Sequence, residues 1–259
     1  MILAVDVGNT QTVLGLLDGG QLDGHWRLST DALMTADELR IKIGGLLAAE
    51  NRSWEEIERV IVASVVPNLT VAYDEVARRV TGEAPLVVGP GLKTGMQIRY
   101  DNPHEVGADR IVNGVAAYRL FGGPVVVVDF GTATTIDVIA EDGAYLGGAI
   151  APGVETSADA LFSRAARLSK VDLEPPERAI GTNTRASLQA GLLLGAGAMV
   201  DGLVRRVWDE LGTVTRVVAT GGLAERMAPL CETIDGVDSD LTLKGLGIIY
   251  ELNAPQAAG

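Results

Sequence analysis

The sequence predicts an α/β fold built as two duplicated domains with a cleft between them. Three observations carry that reading. The stretch "ILAVDVGNTQTVLGLLDGG" at 2–20 is an apolar run that ends at Asp6, crosses Gly8, Asn9 and Thr10, and turns apolar again. The stretch "VVVVDFGTATTIDVIAEDG" at 125–143 echoes it. At one fixed offset Val5 matches Val128, Asp6 matches Asp129, Gly8 matches Gly131, Thr12 matches Thr135 and Gly20 matches Gly143. The third observation is that the same order of elements follows each stretch, as an internal duplication requires.

The elements can be taken in order. Each Asp-x-Gly segment joins two strand-like runs, so each is a hairpin. A tight hairpin needs no more than Asn-Gly or Asp-Gly at its turn. Asn9, Thr10, Gln11 and Thr12 are surplus to that need, so something else is bound or positioned there. Further strands are expected at 12–18 and 22–29, and again at 134–140 and 144–151. Helical periodicity follows at 36–50 and at 154–167. The apolar runs "RVIVASVV" and "TRVVATGG" then read as strands. They alternate with helices near 69–81, 107–121, 183–212 and 241–252. The division is expected near Phe121–Pro124, where "FGGP" punctuates the chain. That gives domains at 1–121 and 122–252, with a disordered tail, "NAPQAAG", at 253–259.

Composition excludes several classes of function. The 259 residues are 47% hydrophobic, enough for a sizeable core. A formal net charge of -13 opposes a nucleic-acid binder, which needs a basic face. It leaves room for a small phosphate site made of backbone N–H groups. Cys231 is the one cysteine, so no intramolecular disulfide forms, as suits a reducing compartment. His25 and His104 are the two histidines, which opposes a zinc site of His and Cys. Asp6, Asp129 and Asp137 interrupt the best apolar runs, so no membrane span is expected. With no basic leader at the N-terminus, the expectation is a cytoplasmic protein.

Two Asp-led hairpins facing each other across a cleft would form a phosphate clamp. Glycine lets the backbone approach a phosphate closely. Thr and Asn donate to phosphate oxygens, and the carboxylates hold a cation directly or through water. The plain alternative for either Asp is a turn carboxylate capping its own backbone. In "EVGADRIVNGVAAYRL" at 105–120 the apolar spacing is helical, which places Gly107, Ala108 and Asp109 at or near a helix N-terminus. Asp109 is then either an N-cap, with Arg110 in a surface ion pair, or a functional carboxylate. Tyr100, in strand-like "MQIRYD", reads by itself as a strand aromatic, and Thr184 in "GTNTRAS" as a helix N-cap. The glycine-rich helical segment 188–211 has room for a close neighbour, either within the chain or from a second copy. "GPGLKTG" at 89–95 lacks the glycine spacing of a P-loop, and "GAGAMVDG" at 195–202 lacks the third glycine of a dinucleotide site.

The Asp-x-Gly hairpins resemble those of the acetate kinase, sugar kinase, Hsp70 and actin superfamily. Within it the chain is similar to type III pantothenate kinases over nearly its whole length. "DVGNT" at 6–10, "HWRLST" at 25–30, "NPHEVGADR" at 102–110, "DFGTATT" at 129–135, "GGAIAPG" at 147–153, "GTNT" at 181–184, "TGGLA" at 220–224 and "DLTLKGL" at 240–246 occur in that order. The resemblance implies two ribonuclease H-like domains and ATP-dependent phosphorylation of pantothenate to 4'-phosphopantothenate, the first step of coenzyme A biosynthesis. It also implies Mg²⁺, a monovalent cation (K⁺ or NH₄⁺) and a homodimer.

Residue by residue, the resemblance assigns ATP to Asp6, Val7, Gly8, Asn9, Thr10, Gln11, Thr12, Val13 and Thr132. Asp6 would organise Mg²⁺ through water, and Asp129 would hold the monovalent cation. Asp109 becomes the general base. Tyr100, Gly107, Ala108, Asp109, Arg110 and Thr184 would contact pantothenate. Arg110 could pair with the substrate carboxylate or with the transferring phosphoryl group. A different kinase or phosphohydrolase, or a non-catalytic accessory or regulatory protein on the same fold, are the alternatives.

Overall fold

A computed structural model of the chain describes residues 1–164 and 171–254. The first run of elements is β1 (Ile2–Val7), β2 (Gln11–Asp18), β3 (Gln21–Ser29), α1 (Ala36–Ala49), β4 (Arg59–Ser64), α2 (Pro67–Thr81), β5 (Leu86–Val87) and α3 (Ala108–Phe121). The second is β6 (Val125–Phe130), β7 (Ala133–Ile139), β8 (Tyr145–Pro152), α4 (Val154–Arg164), α5 (Thr184–Gln189), α6 (Gly195–Leu211), β9 (Arg216–Thr220), α7 (Ala224–Met227), β10 (Gly236–Val237) and α8 (Leu241–Asn253). The chain falls into two compact units, Met1–Ala116 with the segment from Asp240 onward, and Ala117–Ser239.

In the first unit the sheet runs β3-β2-β1-β4-β5. The β1–β2 and β2–β3 pairs are antiparallel; β4 pairs parallel with β1, and β5 parallel with β4. Both faces are covered, which is why β1 and β4 read as continuous apolar runs. Leu3, Val5 and Val7 pack with Leu39, Ile43 and Leu47 of α1 and Leu69 and Val76 of α2. Ala4, Ile61 and Ala63 pack on the other side with Val112 of α3 and Leu243, Leu246 and Ile249 of α8. Thr35 and Glu38 form a capping box that starts α1. Pro67 opens α2, and Gly82, at φ 77°, closes it.

The second unit repeats this plan. Its sheet runs β10-β9-β6-β7-β8, with β6–β7 and β7–β8 antiparallel and β6–β9 and β9–β10 parallel. Val126, Val128 and Phe130 of β6 face Val200 and Val204 of α6. The expected duplication is present strand for strand, with Asp6 and Asp129 each one residue from the end of the leading strand.

The register corrects one detail of the sequence match. Asp6 opposes Val13, whereas Asp129 opposes Thr135. Val7 opposes Thr12, and Phe130 opposes Thr134. The second turn is shorter by a residue, so the counterpart of Thr12 is Thr134, not Thr135.

The expected domains 1–121 and 122–252 differ from the observed units in two places. The boundary lies within α3, and α8 belongs to the first unit because its apolar face closes the second side of that sheet. Of the expected tail at 253–259, Asn253 ends α8 and the Ala254 N–H donates to Tyr250 O, while 255–259 lie outside the described residues. The end of the helix expected at 154–167 lies outside them as well.

The helix expected at 183–212 is present as α5 and α6 joined by a π turn at Ala190–Leu194. Contrary to the expectation of no membrane-length run, Thr184–Leu211 is long and apolar enough by length and composition to cross a membrane. Its apolar residues have work inside the unit: Leu193, Val200 and Val204 belong to the second core, and the Asp201 carboxylate accepts from the N–H groups of Glu232 and Thr233.

Candidate functional site

The first turn joins β1 to β2. Gly8 N–H donates to Gln11 O at 3.0 Å, and a β-carbon at Gly8 would lie 2.9 Å from that same oxygen. The position therefore needs glycine. Asn9, Thr10 and Gln11 are exposed at the tip, Asp6 is half-buried at the strand end, and Thr12 is buried. Thr30 Oγ1 donates to Gly8 O at 2.8 Å and lies 2.9 Å from Thr12 Oγ1. A hydroxyl has one proton, so Thr12 is the donor to Thr30. Thr12 thus points inward, with its proton committed within the protein. Thr30 closes the stretch "HWRLST", and nothing local in "RLST" distinguishes it from a strand end.

The N-terminus of α3 lies at the same end of the first sheet. Asn102 accepts from His104 N–H at 3.3 Å and donates to Glu105 Oε1 at 2.8 Å, which shapes the short 3₁₀ turn at Pro103–Glu105. The helix begins at Ala108, and Asp109 sits in its first turn, where a negative charge suits the helix dipole. Its Oδ1 accepts from Arg110 N–H at 2.9 Å. A β-carbon at Gly107 would collide with that Oδ1 and would come within 3.9 Å of Val65 Cγ1. Val65 N–H donates to Val7 O at 3.0 Å. Val65 thus lies close to the Gly107–Asp109 segment and is bonded to the end of β1, next to the first turn. Arg110 is 7% exposed, which corrects the surface ion pair considered for it.

The second turn joins β6 to β7 through Gly131 and Thr132. Gly131 N–H donates to Ala133 O at 3.0 Å. Thr132 O accepts from Gly153 N–H at 3.1 Å and from Thr156 Oγ1 at 2.6 Å, so the turn is docked on the start of α4 with the Thr132 residue exposed. Asp129 is half-buried beside the turn and packs against Gly221, which has φ +93°. Gly153 and Gly221 carry no sequence signal beyond being glycines in "GGAIAPG" and "TGGLA".

Of the remaining candidates, Tyr100 belongs to the first unit and Thr184 to the second. Tyr100 is in a bend, 38% exposed, and not in a strand as "MQIRYD" suggested; the pairing there is a single bridge at Ile98. Thr184 is the first residue of α5, and Asn183 is the N-cap, accepting from Ala186 N–H at 2.9 Å. A recess of about 530 Å³ is lined by Gly181, Thr182, Asn183, Thr184, Ser187 and Leu188. Among the described residues no group of three or more His, Cys, Asp or Glu side chains forms a metal cage.

A family profile for type III pantothenate kinases matches residues 2–206. The chain belongs to the type III pantothenate kinase family. A type III pantothenate kinase from Moorella thermoacetica is 53% identical over 253 residues, covering 98% of this chain and 100% of that protein. Two solved structures share the fold. One is a conserved protein of Campylobacter jejuni described as a Baf family transcriptional activator, with TM-score 0.63 and 21% identity, covering 97% of this chain and 98% of that one. The other is an inorganic polyphosphate/ATP-glucomannokinase from Arthrobacter sp. strain KM, with TM-score 0.53 and 15% identity, covering 97% and 98%.

For a type III pantothenate kinase the arrangement is chemically coherent within each unit. The first unit brings the Gly8 turn, Asp6 and the Asp109 segment to one end of one sheet. The second carries Asp129 and the Thr132 turn at the corresponding end of the other.

Proposed function

We propose that this chain transfers the γ-phosphoryl group of ATP to the primary hydroxyl of pantothenate, the first step of coenzyme A biosynthesis. The observation that supports this reading is that Val65, bonded to the end of β1, lies by the Gly107–Asp109 segment, so a carboxylate at a helix start and a glycine turn share one end of one sheet. The exposed Asn9, Thr10 and Gln11 receive ATP phosphates, with Asp6, Val7, Gly8, Thr12 and Val13 shaping the strand ends around them. Thr132 is the second turn's contribution.

Phosphoryl transfer has a loose transition state, so the alcohol's proton becomes acidic late. Asp109 orients the hydroxyl and takes its proton as the new P–O bond forms and the bond to ADP breaks. Gly107, Ala108, Arg110, Tyr100 and Thr184 complete the pantothenate contacts in this reading.

The donors suit the ions that the family resemblance implies. With no side-chain cage among the described residues, Mg²⁺ fits as an ion carried by phosphate oxygens and water, with Asp6 as the nearby carboxylate. Asp129, at a strand end and packed against a glycine, offers an oxygen ligand to K⁺ or NH₄⁺. Bound there, such cations offset phosphate charge.

The same reading makes the protein a cytoplasmic homodimer. A β-carbon at Gly191, Gly195 or Gly202 would meet nothing within 4 Å, whereas one at Gly197 would meet Leu230 O of the same chain. The first three leave room for a second copy. An ADP-release assay on the purified chain, with and without pantothenate, tests the activity. Pantothenate-dependent ADP release is expected; ATP binding without turnover would favour an accessory role instead.

A further inference from the structure

We propose that Thr30 is a positioning residue for the nucleotide turn, acting with Thr12 as a two-hydroxyl strut beneath Gly8. The inference rests on the reading that this turn receives ATP phosphates. Thr30 grips the turn at three points. Its hydroxyl donates to Gly8 O at 2.8 Å, its N–H donates to Thr10 O at 2.9 Å, and it accepts from Thr12 Oγ1 at 2.9 Å. The peptide unit is planar and trans, so C=O and N–H point in opposite directions. Holding Gly8 O toward Thr30 therefore turns the Asn9 N–H away from it. That is the group a phosphate-binding turn must present.

The second unit shows that the fold itself does not need the strut. There Thr134 stands for Thr12, and Gly153 stands for Thr30, because Gly153 N–H reaches Thr132 O as Thr30 N–H reaches Thr10 O. Gly153 has no hydroxyl, and a β-carbon on it would collide with Gly131 O. Thr134 Oγ1 is buried with no hydrogen-bond partner. The same hairpin stands without the hydroxyl chain, braced by Gly153 and Thr156 on Thr132 O. The strut is thus particular to the first turn.

The test uses the full chain and steady-state kinetics with each substrate varied in turn. Thr30→Val should raise the KM for ATP about five- to tenfold, as expected for losing a coupled pair of hydrogen bonds. The KM for pantothenate and kcat at saturating ATP should stay within about twofold. Thr30→Ser should restore the KM for ATP. Thr12→Val combined with Thr30→Val should be no worse than Thr30→Val alone, because both act through one chain of hydroxyls. An unchanged KM for ATP, parallel losses in both KM values and kcat, failure of the Ser variant to rescue, or failure of Thr30→Val to fold would each overturn the proposal. Asp6→Asn separates this from the reading beneath it. If Asp6→Asn raises the KM for ATP and Thr30→Val does not, the strut alone is wrong; if neither does, the placement of phosphates at this turn falls too.

Discussion

Gly221 stands directly against the Asp129 carboxylate, at φ +93°, where a β-carbon would collide with Oδ1 and come within 2.8 Å of the Phe130 backbone. The backbone of a core strand cannot yield as a side-chain tip can. Gly221→Ala should therefore cost about 1–3 kcal/mol of stability and displace Asp129. Urea unfolding checks the first effect; a variant as stable as the parent would contradict this account of the glycine.

Asp129 is proposed to hold the monovalent cation. Activity in sodium-only buffer should be low and should recover when potassium or ammonium is added. Asp129→Ala should abolish that recovery. Equal rates in sodium and potassium for the parent protein would remove the assignment.

Asp109→Asn keeps the size of the side chain and its acceptor for Arg110 N–H, but removes the base. The expected result is a fall in kcat of at least about a hundredfold with ATP binding retained. Single-turnover rates and ATP titration of the purified variant measure both, and an unchanged kcat would end the general-base role.

Burial, with a smaller contribution from the Asp201 carboxylate, pushes the Cys231 thiol up to about 12. Its hydrogen bond to Met227 O, at 3.4 Å, uses the protonated form. An unfolded thiol ionises near about 8.5. Between those values the unfolded chain holds fewer protons than the folded one, so this group's contribution to stability is complete below about pH 8 and is lost as pH rises. Iodoacetamide at pH 8 should label the folded chain at least about a hundredfold more slowly than the urea-unfolded chain. Equal labelling rates would show that the thiolate is not disfavoured.

The helical run from Thr184 to Leu211 bears on assembly. If its open glycines meet a second copy, sedimentation should show a dimer at micromolar concentration, and Gly195→Glu should shift it towards monomer. A parent protein that sediments only as a monomer would rule the dimer out.

Much of the architecture was legible because it is written in local patterns. The apolar runs around Asp6 and Asp129 and the glycines that follow them set two hairpins, and the repeated order of elements set two related units. The family motifs likewise lie in short continuous stretches, which is why Asp109 and Thr132 stand out as candidates in the sequence. Two-residue strands such as Leu86–Val87 and Gly236–Val237 escaped, since two residues carry no period.

What only the tertiary structure decided depends on contacts between residues far apart in the chain. Thr12 matched Thr135 by spacing, yet the register makes Thr134 its counterpart, because a turn shorter by a residue leaves sequence identity intact while reversing which face of the strand a side chain occupies. Thr30 gained its role from hydrogen bonds to Gly8 and Thr12, and Gly221 from its contact with Asp129. The pattern at 241–252 named a helix but not the sheet it covers. That was decided by the uncovered apolar face of Ala4, Ile61 and Ala63, which α8 closes at the cost of a long return in sequence.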